Sequence, residues 1–119
     1  MPRFIVHDHF SKRHHHDLRL EMDGALKSWA VPKGVPTEAG VKRLAVQVED
    51  HPLSYISFNG TIPEGSYGAG KVEIWDNGKY ELAEREPKKM IVDFKGKKLK
   101  GKYALVKFRE ENWLFFKTK

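Results

Sequence analysis

The sequence contains no cysteine among its 119 residues, and it contains no long apolar run. The lack of cysteine excludes a disulfide framework and a metal site built on thiolates. No apolar run approaches the ~20 residues that a membrane-spanning helix requires, and the N-terminus lacks the apolar core of a signal peptide. We therefore expect a protein without a membrane partner, located in the cytoplasm.

Sustained helical periodicity is also missing. Apolar and polar residues instead alternate in short runs that recur roughly every ten residues, with turn signals between them. This pattern predicts an all-β protein, mainly antiparallel, built as a β-barrel or a sandwich. The length suits one domain over residues 1–119, long enough to bury a core of its own.

Basic residues are in excess, because 22 Lys and Arg face 16 Asp and Glu for a formal net charge of +6. Such a balance favours polyanionic partners, above all nucleic acid. Charge alone is equally typical of a merely soluble basic surface. The lysine-dense stretch 95–102 is interpreted mainly as a solvated strand edge, where lysines oppose aggregation. Charge therefore predicts attraction to nucleic acid without specifying any chemistry.

Residues 9–19, HFSKRHHHDLR, contain four of the six histidines. If a strand begins at residue 15, alternate side chains share a face, and the polar face holds His15, Asp17 and Arg19. The opposite face, with Leu18, Leu20 and Met22, can pack into a core. His9 can supply a third metal ligand. Imidazole and carboxylate suit zinc, manganese or another divalent transition metal, and a neighbouring guanidinium suits a phosphate.

Two plainer interpretations of these histidines are a tag remnant and a surface cluster without a ligand. The first is disfavoured because the triplet is internal, short and continuous with a strand. For His9, His15 and Asp17 together, metal binding is the favoured interpretation. His14 and His16 are left out of the predicted ligand set, because on a strand they point away from the carboxylate.

Asp23-Gly24 between two β-patterned runs predicts a two-residue hairpin turn, since both positions need positive φ. In that register Arg19 faces Ser28 on the neighbouring strand. A second hairpin is predicted over residues 71–83, where the runs KVEIW and KYELA flank the turn-like letters DNG.

The run RLAVQVED, which ends just before His51, alternates as a half-buried strand does. One face holds Leu44, Val46 and Val48. The other face holds Arg43, Ala45, Gln47 and Glu49, and His51, which follows the run, continues it. An exposed sheet face is the plainer interpretation of the polar set. Beside a metal site, His51 becomes a candidate general acid or transition-state stabiliser, and Arg43 a second phosphate contact.

The stretch Gly65–Lys71 matches the letters of a nucleotide-binding phosphate loop, but a strand rather than a helix follows it. We interpret its glycines as a tight loop between strands. The three tryptophans are expected in the core, with base stacking by Trp75 and Trp113 as the alternative.

Three long motifs occur in order with the spacing of a known family: HDHFSKRHHHDLRLEMDGALKSWAVPKG, RLAVQVEDHPLSY and FNGTIPEGSYGAGKVEIWDNGKYE. They closely resemble the 3′-phosphoesterase domain of bacterial DNA ligase D, and the chain is similar to free-standing prokaryotic versions of that domain. The resemblance covers roughly residues 4–119 and is densest over residues 9–81.

The resemblance implies a small, closed or nearly closed β-barrel with its active site in a concave groove. It also implies dependence on a divalent metal, typically Mn²⁺, with Zn²⁺ or Co²⁺ as alternatives. By motif position, the implied metal ligands are His9, His15 and Asp17. The implied catalytic residues are His51, Arg19 and Arg43. The implied phosphate-binding residues are Ser28, Lys33 and Tyr55, with Glu49 in a supporting position.

The activity implied by the resemblance is the healing of 3′ ends of DNA or of mixed RNA–DNA primer-templates. A 3′-terminal ribonucleoside is removed first, and the 3′-phosphate that remains is then removed to leave a hydroxyl. Related domains usually carry a longer charged N-terminal segment that assists the first step, so removal of the phosphate is implied more directly. His7 stands where related domains often have Gln. End-joining ligases and polymerases at the nucleoid are the implied partners.

Two other classes of function stay open at this point. The first is a non-catalytic basic β-barrel that binds nucleic acid through exposed aromatic side chains, without a metal. The second is a metal-dependent barrel that acts on small molecules.

Overall fold

The computed structural model of the protein describes residues 1–66 and 69–118. The strands are β1 (Arg3–Phe10), β2 (His14–Met22), β3 (Ala25–Val31), β4 (Lys42–His51), β5 (Gly60–Ile62), β6 (Gly70–Glu86), β7 (Lys89–Lys95), β8 (Lys100–Arg109) and β9 (Asn112–Lys117). A short 3₁₀ helix spans Leu53–Ser57. Tyr67 and Gly68, within the predicted glycine-rich loop, lie outside the described residues. Across the two described ranges, every helix is too short or too polar to cross a bilayer.

The strands form one antiparallel sheet in the order β1-β2-β3-β4-β9-β8-β7-β6, and β1 also pairs with β6. This last pairing closes an eight-stranded barrel and leaves β5 as an addition to the start of β6. Closure pairs the backbone N–H and C=O groups that the edge strands of an open sheet would expose. The predicted all-β, mainly antiparallel barrel is confirmed.

The core is filled by alternate residues of the barrel strands, as the period of two requires. Its largest members include Phe4, Trp29, Phe94, Tyr103 and Phe115, all at most 1% exposed. Phe94 packs edge-on against Phe4 at 4.9 Å and against Tyr103 at 5.4 Å between ring centroids. These aromatic side chains supply much of the buried apolar area that stabilises the fold.

The β2–β3 hairpin has the predicted register. Asp23 and Gly24 form its turn with φ of 54° and 81°, and Arg19 lies opposite Ser28. This register aligns the polar face of β2 with Ser28, while Leu18 lies opposite Trp29 on the core side.

The hairpin predicted over residues 71–83 is wrong, because the letters DNG lie inside the continuous strand β6. The buried carboxylate of Asp76 caps a different turn, accepting backbone N–H groups at 2.8–3.1 Å from Lys97, Lys98 and Leu99. Gly78 passes so close to β7 that a Cβ there would lie 2.6 Å from the carbonyl oxygen of Lys95. Capping and close strand approach therefore explain two residues that resemble a turn in the sequence.

Strand β4 differs from the predicted alternation. Ala45 is fully buried whereas Leu44 is 42% exposed, so the face predicted to be polar is turned towards the core. A bulge follows, because Ser28 pairs with Val48 but Leu26 pairs with His51. The bulge brings His51 to the same face as Ser28. The prediction that Arg43 and His51 share a strand face is therefore wrong.

Candidate active site

The candidate site occupies the sheet face that points away from the core. Ile5, His7, Asp17, Arg19 and Ser28 alternate with core residues, yet each is at most 5% exposed. The segment after β4 covers this face, since the ring of Tyr55 lies 5.0 Å from the Arg19 guanidinium carbon. A second layer therefore buries polar groups outside the barrel.

Three potential metal ligands meet at the end of the β1–β2 pair. The register places His9 directly opposite His15. His9 Nδ1 lies 3.0 Å from Asp17 Oδ2, and His15 Nε2 lies 3.1 Å from Asp17 Oδ1. One donor atom from each of the three residues falls within 4.8 Å of the others. This is the predicted ligand set, and its spacing suits one shared cation.

The tautomer of His15 agrees with a role as a metal ligand. Its Nδ1 lies 3.0 Å from the carbonyl oxygen of Arg13, to which it can donate. That hydrogen bond leaves the Nε2 lone pair directed at the Asp17 side. Histidine ligands commonly donate their second ring N–H in this way, which fixes the ring. The donor set, two imidazoles and a carboxylate, fits a divalent transition metal.

The guanidinium of Arg19 is held by three side chains. Its Nη2 donates to Asp17 Oδ2 at 3.4 Å, and its Nε donates to His7 Nδ1 at 3.2 Å. Its Nη1 lies 3.1 Å from His51 Nδ1. Arginine carries five N–H donors, so two of them are not used in these contacts. The guanidinium is thus aimed beside the carboxylate that would bind the cation.

His51 and the candidate metal ligand Asp17 contact different nitrogens of the Arg19 guanidinium. Ser28 Oγ lies 3.4 Å from His51 Nδ1 and donates to the carbonyl oxygen of Leu26. The carbonyl oxygen of Glu49 lies 3.1 Å from the same nitrogen, whereas the Glu49 side chain is exposed. The ring of Tyr55 packs 4.9 Å from the His51 ring. The structure therefore brings Ser28, His51 and Tyr55 together as predicted.

His7 is the polar residue whose position in the site sequence reasoning did not predict. It is fully buried, and its Nε2 lies 2.9 Å from the carbonyl oxygen of Phe58. Because Arg19 donates to Nδ1, the proton of neutral His7 is on Nε2 and is donated to Phe58. His7 thus links Arg19 to the covering segment. Strand alternation from His9 was the signal that could have indicated it.

Burial and charge shift the pKa values of these groups in different directions. Burial alone would raise the pKa of Asp17, but hydrogen bonds to His15 and His9 and the charge of Arg19 hold it well below its usual range. Burial, reinforced by the charge of Arg19, lowers the pKa of His7 to about 4. The same two causes lower the pKa of His51. The hydrogen bond that protonated His15 can donate to Asp17 raises the pKa of His15.

Two predicted site residues lie in a separate depression of about 310 Å³, lined by Pro32, Lys33, Lys42, Arg43 and Leu44. Arg43 pairs with the buried Phe115 and lies two residues before the buried Ala45. Its side chain therefore leaves β4 on the face that is turned towards the core. Lys33 is exposed just beyond the end of β3. These residues form a basic depression, and their role at the reacting phosphate stays a prediction.

The family model described as "DNA Ligase D 3'-phosphoesterase domain" matches residues 7–107. The chain belongs to the DNA ligase D 3′-phosphoesterase domain family. The predicted family is confirmed, and the matched range contains the three candidate metal ligands, Arg19 and His51.

The related proteins are much longer than this chain. It is 44% identical, over 98% of its length, to the "Multifunctional non-homologous end joining DNA repair protein LigD" of Mycobacterium tuberculosis. It is 45% identical, again over 98% of its length, to the "Multifunctional non-homologous end joining protein LigD" of Pseudomonas aeruginosa. The chain spans 16% and 15% of these two relatives.

Proposed function

We propose that this protein is a divalent-metal-dependent phosphoesterase that heals 3′ ends during DNA repair. It removes a 3′-phosphate, and in a preceding step a 3′-terminal ribonucleoside, to leave a 3′-hydroxyl. The observation that carries the proposal is that Asp17 touches both candidate metal ligands, His9 and His15, and also Arg19. A cation site beside a guanidinium is suited to stabilise the charge that develops in phosphoryl transfer.

The metal would be held by His9, His15 and Asp17. A divalent ion held by these residues would supply Lewis acidity towards a phosphoryl oxygen and would lower the pKa of a water molecule. Mn²⁺ is the proposed ion, with Zn²⁺ and Co²⁺ as alternatives that accept the same nitrogen and oxygen donors.

Arg19 would neutralise charge on the non-bridging phosphate oxygens. Burial lowers its pKa, but an arginine stays protonated at neutral pH. The two N–H groups that the contacts with His7, Asp17 and His51 do not use would donate to the phosphate. Because its neighbours already fix the guanidinium, little reorganisation is needed as charge develops in the transition state.

His51 would act on the opposite side of the phosphate. Arginine can only donate, so His51 Nδ1 accepts from Arg19 and the proton of the neutral ring is on Nε2. That N–H can stabilise the transition state or protonate the leaving oxygen. The lowered pKa of His51 keeps the ring neutral at pH 7 while this donor is retained.

The remaining predicted residues would bind the substrate around this centre. Ser28 and Tyr55 lie against His51 and would contact the phosphate, and Glu49 would keep the supporting position that the family motif implies. Lys33 and Arg43 would bind phosphates of the strand in the basic depression. The substrate would be a DNA or RNA–DNA 3′ end, used next by an end-joining polymerase or ligase in the cytoplasm at the nucleoid.

The test is release of phosphate from a 3′-phosphorylated oligonucleotide with manganese and with excess chelator. We expect release only with manganese, and loss of release in an Arg19→Ala variant that still binds the metal. Tight binding without release would support the non-catalytic module instead. A matched oligonucleotide ending in a ribonucleoside tests the preceding step separately.

A further inference from the structure

An exposed aromatic pair lies at the tip of the β1–β2 hairpin. The rings of Phe10 and His14 stack in parallel, with centroids 4.4 Å apart and planes 4° from each other. Phe10 is 39% exposed and the His14 side chain is 56% exposed. A single exposed apolar residue is ordinary, but a stacked and aligned pair presents a flat surface. We call Phe10 and His14 the tip pair.

The tip pair lies one residue away from two candidate metal ligands. Phe10 follows His9 on β1, and His14 precedes His15 on β2. Strand alternation therefore directs the tip pair to the opposite face of the same two-stranded ribbon. A chain that reached the metal site could continue around the hairpin tip onto this flat surface.

Basic residues lie next to the tip pair in the turn and on the neighbouring strand. Lys12 and Arg13 are exposed in the turn that joins the two paired strands. Lys71, whose side chain is 63% exposed, lies opposite Phe10 on β6. Asp8, which contacts His14 Nε2, and Glu73, which lies 3.7 Å from Lys71, are acidic groups next to this surface. The three basic residues Lys12, Arg13 and Lys71 outnumber these two acidic ones.

The ring of His14 is held in place rather than free to rotate. One face stacks on Phe10, and Nε2 contacts the carboxylate of Asp8. A fixed flat surface loses little conformational entropy when another ring stacks on it. The exposed apolar area of the pair belongs to Phe10, which is 39% exposed. This area is small for docking of a folded protein, but a single nucleobase can stack on it.

We propose that the tip pair is a base-stacking site for the nucleic-acid strand whose 3′ end lies at the metal site. One base within a few nucleotides of the 3′ end stacks on the pair, and Lys12 and Arg13 contact the adjoining phosphates. Stacking of this kind tolerates any base, since every base has a flat π face. The proposal rests on the proposed function, because it assumes a nucleic-acid 3′ end at the metal site.

The experiment uses a product oligonucleotide with a 3′-hydroxyl, so that no turnover occurs in the presence of manganese. The fluorescent base 2-aminopurine is placed at successive positions from the 3′ end, and stacking quenches its emission. We expect quenching at one position in the natural protein. Phe10→Ala should abolish that quenching and weaken affinity by about 5- to 150-fold, the range for one stacked base.

Two further variants make the result specific. Phe10→Tyr keeps a flat ring and should keep both quenching and affinity. Phe108→Ala removes a phenylalanine that is 56% exposed on β8, and it should bind the oligonucleotide like the natural protein. Unfolding midpoints and manganese binding, measured on all variants, reveal any loss of folding.

Equal affinity and equal quenching in Phe10→Ala and Phe108→Ala would overturn the proposal. A change of oligomeric state in Phe10→Ala without a change in affinity would also overturn it and would identify the tip as a contact between copies. If the natural protein releases no phosphate from a 3′-phosphorylated strand, the proposed function fails. Quenching that depends on Phe10 would still be evidence for the stacking site in that case.

Discussion

The two faces of strand β2 are buried almost equally, but by different means. Leu18 and Leu20 are fully buried against other apolar side chains of the core, whereas Asp17 and Arg19 are 5% and 3% exposed among polar groups. Burial of apolar area stabilises folding. When paired charges are buried, the cost of their desolvation roughly cancels their mutual attraction, so such a pair does not reliably stabilise the fold. One strand can therefore stabilise the fold through the apolar residues of one face and position the polar residues of a candidate active site on the other.

The largest expected effect of separating the two faces comes from Asp17→Asn. Removing the charge deprives the candidate cation of its only carboxylate among the three ligands, so turnover should fall at least about 10³-fold, which is roughly 4 kcal/mol in the transition state. Metal content and phosphate release measure this. Asp93→Asn, the same change on β7, is the control, and normal turnover in Asp17→Asn would contradict the assignment.

The neighbouring substitution Leu18→Ala should act on stability instead. It leaves a cavity in the core and should lower the free energy of unfolding by about 2–5 kcal/mol. Urea denaturation followed by tryptophan fluorescence measures the loss. The fraction that stays folded should still bind manganese. Loss of manganese binding by folded Leu18→Ala would remove the distinction between the two faces.

Asp76 is a buried carboxylate on another strand, and it sharpens the comparison. Asp76→Ala leaves three backbone N–H groups without their acceptor, and we expect a loss of about 2–3 kcal/mol in unfolding free energy. Turnover at temperatures where the variant is folded should be unchanged. A fall in turnover under those conditions would mean that Asp76 acts on the site as well.

A pair of substitutions at His7 tests how the covering segment supports the site. Gln can donate to the Phe58 carbonyl and accept from Arg19, so His7→Gln should stay within about 3-fold of natural turnover. His7→Leu has neither group and should lower kcat/KM about 10- to 100-fold, as loss of an orienting partner does. Steady-state kinetics on a 3′-phosphorylated oligonucleotide distinguish the two. Equal kinetics for both variants would mean that these hydrogen bonds are not used.

The smallest effect is a pH dependence of stability in the metal-free protein. The pKa of His7 is lowered from 6.5 to about 4 in the folded state, so the unfolded chain binds a proton that the folded protein rejects between these values. The free energy of unfolding should therefore fall as pH decreases from 6.5 to 4, with a slope of at most about 1.4 kcal/mol per pH unit from this residue. Urea titrations in chelator measure the slope, and His7→Gln should reduce it.

The opposite sign applies to His15, because its pKa is raised in the folded state. Its contribution to stability is complete below pH 6.5 and is lost as pH rises through the folded value. Comparison of His7→Gln with the natural protein isolates the contribution of His7 to the loss of stability below pH 6.5. A free energy of unfolding that does not change with pH in either protein would contradict the burial of a neutral His7.

Prediction from the sequence succeeded where local rules decide the structure. The period-two pattern of β2 and the positive φ required at Asp23-Gly24 fixed which side chains share a face, and the register followed. His9 and His15 were grouped by the chemistry of their side chains before their pairing was known. Family motifs then extended the same set to Ser28, Tyr55 and His51.

Prediction failed where distant segments decide the structure. The letters at Asp76 and Gly78 are typical of a turn. In the structure the Asp76 carboxylate instead accepts hydrogen bonds from the turn after β7, and the close approach of the Lys95 carbonyl leaves no room for a side chain at Gly78. The bulge that moves His51 beside Ser28 cannot be recognised from sequence periodicity, because it depends on pairing with β3. Unbroken alternation therefore wrongly placed Arg43 and His51 on one face.

The sequence by itself determined the β architecture, the register of the β2–β3 hairpin, and the residue types able to hold a cation and a phosphate. These features follow from strand periodicity, turn stereochemistry and ligand chemistry, which act over a few residues. Tertiary structure alone decided that β1 closes the barrel on β6, that His7 ties Arg19 to the segment above it, and that the site lies outside the barrel wall. Those outcomes depend on contacts between residues far apart in the chain, where burial and hydrogen bonding override local preference.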